Sequence, residues 1–421
     1  MHLVYPHSVI PKTMDLPEVY ASTEIKTRLI QGHPWVYRNQ IKGGERLRSG
    51  TWVRLRCGPF QAIGLWDADS PIAVRLFTRY VAPNADWVSE RVWEAWEARA
   101  SIRAGMTNAY RWIYGEGDWL PGIVVDRYGD YAVIQTYAAS VATLIPLIVP
   151  ALRACDPDLR GIVVRETATE HQAPQTAGFD ATGATSKISH PSLQKLWGEL
   201  PPNDLVVEEH GLFLYTDLYR GQKTGLFLDQ RENRHTVETL AGGLRVLNCF
   251  AYTGAFSLYA LRGDAASVIS ADSGHGLADA AAANVALNQF DPARHSFVTS
   301  DCFALLDGYA KAGQRFDMVI LDPPSFARAK ANAYSAIRAY TRLNTLALRC
   351  IEPGGLLVSS SCTSQVSPEQ FRTMLADAAA RARRRVQIIH DAGQASDHPV
   401  PAGFLEGRYL KFMIARVLPV V

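Results

Sequence analysis

The chain has 421 residues, 48% of them hydrophobic and 20% charged, with a formal net charge of +2. At about 150 residues per domain this length predicts two or three domains, and the ordinary apolar content excludes a fibrous or disordered chain. No run approaches the roughly 18 apolar residues of a membrane span. The first residues lack a secretory signal pattern, and the six dispersed cysteines suggest neither a disulfide framework nor a zinc site. We therefore expect a cytoplasmic protein without a membrane segment or a bound metal.

Residues 1–84 are predicted to form a small β domain, a barrel or sandwich, with an N-terminal extension. Residues 51–56 alternate apolar and polar side chains as a half-buried strand does, and residues 62–66 and 72–77 follow as further strands. Residues 1–85 carry eleven Lys or Arg against six Asp or Glu. This local excess of positive charge favours a nucleic-acid partner, and a merely solvated basic surface explains it equally well.

Residues 85–195 are predicted to form a connecting α+β domain. A helix begins near Asp86, and residues 123–126 and 131–135 read as the two strands of a hairpin. Residues 167–202 are polar and poorly periodic, which predicts a long surface loop or linker.

Residues 196–421 are predicted to form a Rossmann-like, doubly wound α/β domain. Short apolar strands alternate there with helical stretches at 277–288 and 337–350, the pattern of a parallel sheet. The predicted strands are 244–249, 268–271, 296–299, 318–321 and 356–360.

The first of these strands runs into a turn and a helix at residues 246–257, where only Gly254 remains of a glycine-rich loop. A dinucleotide pyrophosphate needs bare backbone amides at such a loop, whereas S-adenosylmethionine carries no phosphate. Asp272 ends the next strand, where a carboxylate can accept hydrogen bonds from ribose hydroxyls, or could instead cap the following helix. Asp301 follows the third strand, where an acid commonly meets the adenine amine. The three strand ends together predict an S-adenosylmethionine pocket.

Two further strand ends carry residues suited to chemistry on a nucleobase. Asp322 is followed by Pro323 and Pro324, whose fixed φ stiffens a loop that can hold a flat base. Cys362 ends the neighbouring strand among small polar residues, which predicts an accessible sulfur. Carbon 5 of cytosine is a poor nucleophile until a thiolate adds at carbon 6, so a cysteine near an acid suits covalent cytosine methylation.

Short segments in several parts of the chain carry a resemblance to a known family. They are Gly32-His33-Pro34-Trp35-Val36, Gly115-Glu116, Leu120-Pro121-Gly122-Ile123, residues 221–231, Leu247-Asn248-Cys249-Phe250, Leu321-Asp322-Pro323-Pro324, Ser361-Cys362 and Ala395-Ser396-Asp397-His398-Pro399. Through them the chain from Arg28 onward resembles the RlmI-type family of class I 23S ribosomal RNA (cytosine-C5) methyltransferases. The resemblance implies a PUA domain, a connecting domain and a Rossmann-like methyltransferase domain.

The resemblance also implies roles for individual residues. Cys362 would be the nucleophile, and Asp322 would bind and help protonate the cytosine at N3. Pro323 and Pro324 would hold the base, while His33 and Trp35 would contact RNA. Residues implied to surround S-adenosylmethionine are Asp229, Gln230, Arg231, Asn248, Phe250, Tyr252, Thr253, Gly254, Asp272, Asp301 and Asp322. His398 is implied to belong to the site, or is equally well a satisfied structural histidine.

The family differs from two-cysteine RNA methyltransferases, and this chain follows it: Ser325 stands where the second cysteine would release the product. Another base must then remove the C5 proton. The implied partner is 23S rRNA, free or in an assembling large subunit, and a homodimer is left open. Two alternatives remain: an N-methyltransferase acting on guanine or adenine in rRNA, with Phe326 beside Asp-Pro-Pro, and a non-catalytic RNA-binding assembly factor.

Overall fold

The computed structural model describes residues 16–165, 193–326 and 333–419. The first sheet contains β1 (Glu18–Ala21), β2 (Trp35–Tyr37), β3 (Ile41–Lys42), β4 (Trp52–Cys57), β5 (Phe60–Trp66) and β6 (Ile72–Thr78), with helix α1 (Lys26–Ile30). Its spatial order is β2-β6-β5-β4-β1-β3. The predicted alternation appears in β4, where Val53, Leu55 and Cys57 are buried. The region forms one mixed sheet with register shifts, not a two-sheet sandwich.

The second sheet contains β7 (Ala109–Tyr114), β8 (Ile123–Tyr128), β9 (Tyr131–Thr136), β10 (Gly161–Arg165) and β11 (Leu193–Gly198), in the order β11-β10-β9-β8-β7. Its helices are α2 (Ala85–Ala98), α3 (Ala100–Arg103), α4 (Ala139–Ala142) and α5 (Ile145–Cys155). The Asn84 side chain begins α2 by accepting the Trp87 backbone N–H at 2.9 Å, as an N-cap does. The predicted hairpin is β8–β9.

The prediction of a loop over residues 167–202 is wrong for β11, which pairs antiparallel with β10. As an edge strand, β11 has partly exposed side chains and shows no regular alternation, so periodicity did not reveal it. Residues 166–192 lie outside the described ranges. The domain boundaries at 84 and 195 stay a prediction; position 195 falls inside β11.

The third region begins with a hairpin, β12 (Leu205–Glu209) and β13 (Leu212–Thr216). A seven-stranded sheet follows: β14 (Arg245–Cys249), β15 (Ser267–Asp272), β16 (His295–Thr299), β17 (Phe316–Leu321), β18 (Ile351–Ser361), β19 (Arg384–Ala392) and β20 (Lys411–Pro419). Its helices are α6 (Arg231–Leu240), α7 (Ala255–Arg262), α8 (Leu277–Leu287), α9 (Cys302–Ala312), α10 (Ala333–Arg349) and α11 (Pro368–Ala382).

The order of this sheet is β16-β15-β14-β17-β18-β20-β19, with β20 antiparallel to both of its neighbours. Successive strand residues face opposite sides, so Val246 packs in the cluster under α6–α8 while Leu247 packs in the cluster under α9–α11. This confirms the doubly wound fold. The chain order reverses between β14 and β17, the place where such sheets bind ligands at their carboxyl ends. None of the described helices is long and apolar enough to cross a bilayer.

Candidate active site

The loop after β14 has an uncommon backbone. Phe250, Tyr252 and Gly254 have φ angles of 59°, 49° and 85°, in the left-handed region that bulky side chains rarely adopt. Such conformations persist only where surrounding contacts hold them, and they cluster at ligand sites. Here the Asp272 carboxylate accepts the Tyr252 backbone N–H at 3.0 Å. The predicted cofactor loop is thus held in a defined shape at the carboxyl end of β14.

Asp272 lies at the end of β15 and does not cap α8, whose N-cap is Gly276 without a side-chain bond. Its second oxygen accepts the Gly274 N–H at 3.0 Å. A carboxylate offers about four lone-pair sites, so acceptor capacity is left for ribose hydroxyls. Asp301 instead caps α9, because its Oδ1 accepts the Ala304 N–H at 2.8 Å. Its contact with adenine stays a prediction.

The buried polar atoms at this edge that have no hydrogen-bond partner among the described residues include Asp229 Oδ1, Asn248 Oδ1 and Thr253 Oγ1. The other amide atom of Asn248 donates to Ser257 at 2.9 Å. Buried polar groups are nearly always paired in native structures. A carboxylate, a carbonyl and a hydroxyl fit the amino and carboxylate groups of a methionine moiety, so the predicted cofactor residues suit S-adenosylmethionine.

Asp229 is held ionised by its neighbours. Its Oδ2 accepts hydrogen bonds from Lys223 Nζ and Tyr409 Oη, both at 2.5 Å. Burial acts to raise the pKa of this carboxyl, yet the charge of Lys223, together with these bonds, holds the pKa well below its usual range. The partnerless Oδ1 therefore belongs to a carboxylate, which suits a cationic ligand group.

Asp322, at the end of β17, is shifted in the opposite direction. It accepts hydrogen bonds from Gln230 Nε2 at 2.9 Å and from the Ser360 hydroxyl. Burial raises the pKa of Asp322, and the negative charge of Asp229 raises it further. When a site shifts the pKa values of two carboxyl groups in opposite directions, one group can donate a proton while the other stays ionised. Asp322 is the better proton donor of the two.

Cys362 directly follows β18, whose Ser359 pairs in register with Leu321 of β17. The structure thus brings Cys362 to the same sheet edge as Asp322. The cysteine is partly exposed, as predicted, but burial raises the pKa of its thiol to about 11. Lys223 and Lys411 act in the opposite direction, since their positive charges favour the thiolate.

Lys411 is a buried cation beside this thiol. Its side chain lies on β20 opposite Ser361 of β18 and is only 2% exposed. The ammonium donates to the backbone carbonyls of Thr363 and Tyr409. Burial lowers the pKa of Lys411 to about 8. An amine of this kind can carry or give up a proton near neutral pH.

Arg231 and its neighbours join the second sheet to the cofactor edge. Arg231 Nη1 lies 2.8 Å from Asp397 Oδ2, with both side chains buried. Asp397 also accepts the Arg111 backbone N–H and bonds His398 Nδ1, each at 2.9 Å. This supports His398 as a satisfied structural histidine. Arg231 Nη2 has no partner among the described residues, so its contact with the cofactor stays a prediction.

His33 and Trp35 were expected to contact RNA, and the structure corrects this for His33. Its side chain is 1% exposed, and it contacts Glu406 and the Trp35 carbonyl. The Trp35 indole donates to Glu116 at 2.7 Å and packs on Phe404. These contacts join the first sheet to residues of the other two regions. The polar side-chain atoms of His33 and Trp35 therefore form hydrogen bonds within the protein.

The other predicted substrate residues lie at the β17 loop. Pro323 is buried and Pro324 is exposed beside Asp322. Phe326 packs against Tyr340, with ring centroids 4.7 Å apart. Contact of the two prolines with a base stays a prediction.

Sequence reasoning assigned no role to Lys223, Tyr409 or Lys411. Lys223 lies inside the 221–231 segment that carried the resemblance, so its signal was present. Tyr409 and Lys411 are distant in sequence and reach the site only because β20 inserts beside β18. The one available signal was a lysine in an otherwise apolar run at residues 410–415.

Comparisons with known proteins agree with this geometry. A family model for S-adenosylmethionine-dependent methyltransferases matches residues 190–401, and a PUA-like domain model matches residues 23–79. Proteins named ribosomal RNA large subunit methyltransferase I from Salmonella enteritidis and Salmonella gallinarum are 35% identical over 416 residues, covering 96% of this chain and 98% of theirs.

Two solved structures share the fold along nearly the whole chain. A putative SAM-dependent methyltransferase from Streptococcus mutans has a TM-score of 0.80 at 21% identity, and a putative methyltransferase complexed with SAH has a TM-score of 0.82 at 22% identity. Each match covers 95% of this chain and 100% of the other. The chain belongs to the S-adenosylmethionine-dependent methyltransferase family that includes ribosomal RNA large subunit methyltransferase I.

Proposed function

We propose that the protein methylates carbon 5 of a cytosine in 23S ribosomal RNA through a covalent Cys362 adduct. The observation that carries the proposal is the meeting of Cys362 and Asp322 at the ends of adjacent strands, next to the Asp229 carboxylate. The names of the full-length relatives support large-subunit rRNA as the substrate. The PUA-like model at residues 23–79 supports an RNA partner.

In the proposed reaction the target cytosine is unstacked into the crevice. The Cys362 thiolate forms a bond to C6 while the Asp322 carboxyl gives its proton to N3, which makes C5 nucleophilic. When bound, S-adenosylmethionine supplies the electrophilic methyl group. A base then removes the C5 proton, the electron pair re-forms the C5–C6 double bond, and the sulfur leaves as thiolate. Asp322 recovers the proton from N3.

The chain offers Lys223 and Lys411 as the residues that ease thiolate formation, because the positive charges of Lys223 and, to a smaller extent, Lys411 act to lower the pKa of the Cys362 thiol. Asp229, with its pKa held low, remains an anion that binds the cofactor. Asp322, with its pKa raised, is suited to hold the proton that N3 requires. The opposite shifts of the two carboxyl groups match the two roles.

The test is mass analysis of nucleosides from unmodified bacterial 23S rRNA incubated with the protein and methyl-labelled S-adenosylmethionine. We expect labelled 5-methylcytosine, and Cys362→Ala is expected to abolish it while cofactor binding, measured by calorimetry, survives. A labelled purine would point to the N-methyltransferase alternative. Full turnover by Cys362→Ala would exclude the covalent mechanism, and no label in any base would favour the assembly-factor alternative.

A further inference from the structure

Away from the catalytic edge, α10 and α11 enclose a groove of about 440 Å³ lined by Arg342, Thr345, Leu346, Arg349 and Arg381. The two helices are packed against each other: Thr345 Oγ1 and Arg349 Nη2 both approach backbone carbonyls of α11, at 3.4 Å. Thr345 and Leu346 are buried and form the floor, while the three arginines are exposed and form the rim. The groove thus has a buried base, formed by one threonine and one leucine, and a cationic edge.

The rim is continued along α10 by Arg338. With 3.6 residues per turn, Arg338, Arg342 and Arg349 lie within about 40° of one another on the same helix face, spread over about 16 Å. All three are exposed. Because β17 ends at the catalytic edge and the parallel β18 begins at the opposite edge, α10 connects the two edges. The row of arginines therefore leads from the side of the catalytic crevice down the flank of the domain.

These guanidinium groups are not neutralised within the described part of the chain. Neither Arg342, Arg349 nor Arg381 forms an ion pair with a carboxylate there. Asp307 of α9 is paired with Lys311 at 2.6 Å, and this hydrogen bond is the largest influence that lowers the pKa of its carboxyl. The charges of Arg342 and Arg349 also lower that pKa, to a smaller extent. The three guanidinium groups have N–H donors left for a ligand. A guanidinium group can bind two oxygens of a phosphate at once, so phosphate is the ligand that these groups fit.

We propose that this groove, lined by Arg342, Arg349 and Arg381, binds the phosphate backbone of the substrate RNA and guides the strand to the catalytic crevice. The proposal rests on the proposed function, because it takes RNA as the substrate. It adds a second contact surface on the methyltransferase domain itself, separate from the first sheet. Phosphate contacts of this kind position an RNA without reading its sequence.

The experiment measures binding of an unmodified 23S rRNA transcript as a function of salt, for the wild-type protein and for Arg342→Gln/Arg349→Gln/Arg381→Gln. Each lost phosphate contact on single-stranded RNA reduces the slope of log K against log salt by about 0.7. The triple variant should therefore lose about 2 units of slope. Since the curves converge near 1 M salt, its affinity at 0.1 M salt should fall about 100-fold.

A matched control is Arg153→Gln/Arg160→Gln/Lys195→Gln, which removes three exposed cations from the second sheet region. The salt-dependence slope of the control should differ from that of the wild type by less than about 0.7 units, the effect of one phosphate contact. The affinity for S-adenosylmethionine should be unchanged in both triple variants. The single variants Arg342→Gln and Arg349→Gln, each expected to lose about 0.7 units of slope, keep the test open if the triple variant misfolds.

Equal loss of slope in the control and the groove variant would mean that only total charge matters, which would overturn the proposal. An unchanged slope in the groove variant, with methylation of the transcript by the wild type, would also overturn it and leave the proposed function intact. Failure of the wild type to methylate any RNA would instead count against the proposed function. A raised KM for RNA with unchanged kcat at saturation is the expected kinetic result in the groove variant.

Discussion

The reactivity of Cys362 toward iodoacetamide tests the electrostatics of the site without assuming its substrate. With a thiol pKa of about 11, about one thiol in 1,000 is ionised at pH 8, against roughly a quarter for an ordinary cysteine of pKa about 8.5. Only the thiolate reacts. Because a thiolate of higher pKa is also intrinsically more nucleophilic, alkylation of Cys362 should be about 10- to 20-fold slower than that of an exposed cysteine at pH 8, and should rise with pH without levelling by pH 10.

The assay is site-resolved mass spectrometry of the Cys362 peptide after timed alkylation between pH 7 and pH 10. In Lys411→Met the rate should be lower at pH 7, because the ammonium that favours the thiolate is gone. Lys411 has a pKa of about 8, so it loses its charge as the pH rises through that value. The wild-type and variant rates should then converge above about pH 9.

A plateau of the alkylation rate below pH 9.5 would refute the raised thiol pKa. A Lys411→Met deficit of the same size at pH 7 and pH 9.5 would show that Lys411 acts through packing and not through charge.

Three further substitutions address other parts of the site. Asp322→Asn removes the proton donor and should lower single-turnover methylation by about 100-fold or more, with stability to urea near that of the wild type. Asp272→Ala removes a carboxylate acceptor for ribose and should weaken S-adenosylmethionine binding about 10- to 100-fold by calorimetry. Asp397→Asn removes the buried counter-charge of Arg231, which keeps only the partly exposed Glu232 at 3.0 Å, and should cost about 3 kcal/mol of unfolding free energy in urea at pH 7. Because the pKa of Asp397 is held far below its usual range, this cost should be full above about pH 4 and shrink as the pH falls further.

The catalytic edge was predictable because strand-end residues carry their position in the sequence. Asp272 and Asp322 end or follow apolar strands, and Cys362 follows a strand whose apolar residues 356–358 are continued by three serines. Parallel strands bring such ends together. The two C-terminal strands were not predicted, and neither was the place of Lys411 and Tyr409 in the site. The order of strands in a sheet cannot be derived from the local hydrophobic periodicity of the sequence. The surroundings of His33 were not predicted for a related reason, because its partner Glu406 lies 373 residues away in the sequence.

The charge balance around Asp229 is set by Lys223, and its removal should be visible as a pH dependence that the wild type lacks. The Lys223 ammonium, 2.5 Å from Asp229 Oδ2, holds the pKa of that carboxyl low, so the wild-type carboxylate stays ionised between pH 5 and pH 8. In Lys223→Met the largest influence that lowers the pKa of Asp229 is gone, and only the charge of His398 and the Tyr409 bond act against the burial that raises it, so Asp229 should begin to take up a proton as the pH falls. Binding of the cationic S-adenosylmethionine should then weaken from pH 8 to pH 5 in the variant and stay level in the wild type, as measured by calorimetry. A variant whose affinity is equally level over that range would mean that Asp229 is not the carboxylate that receives the cofactor.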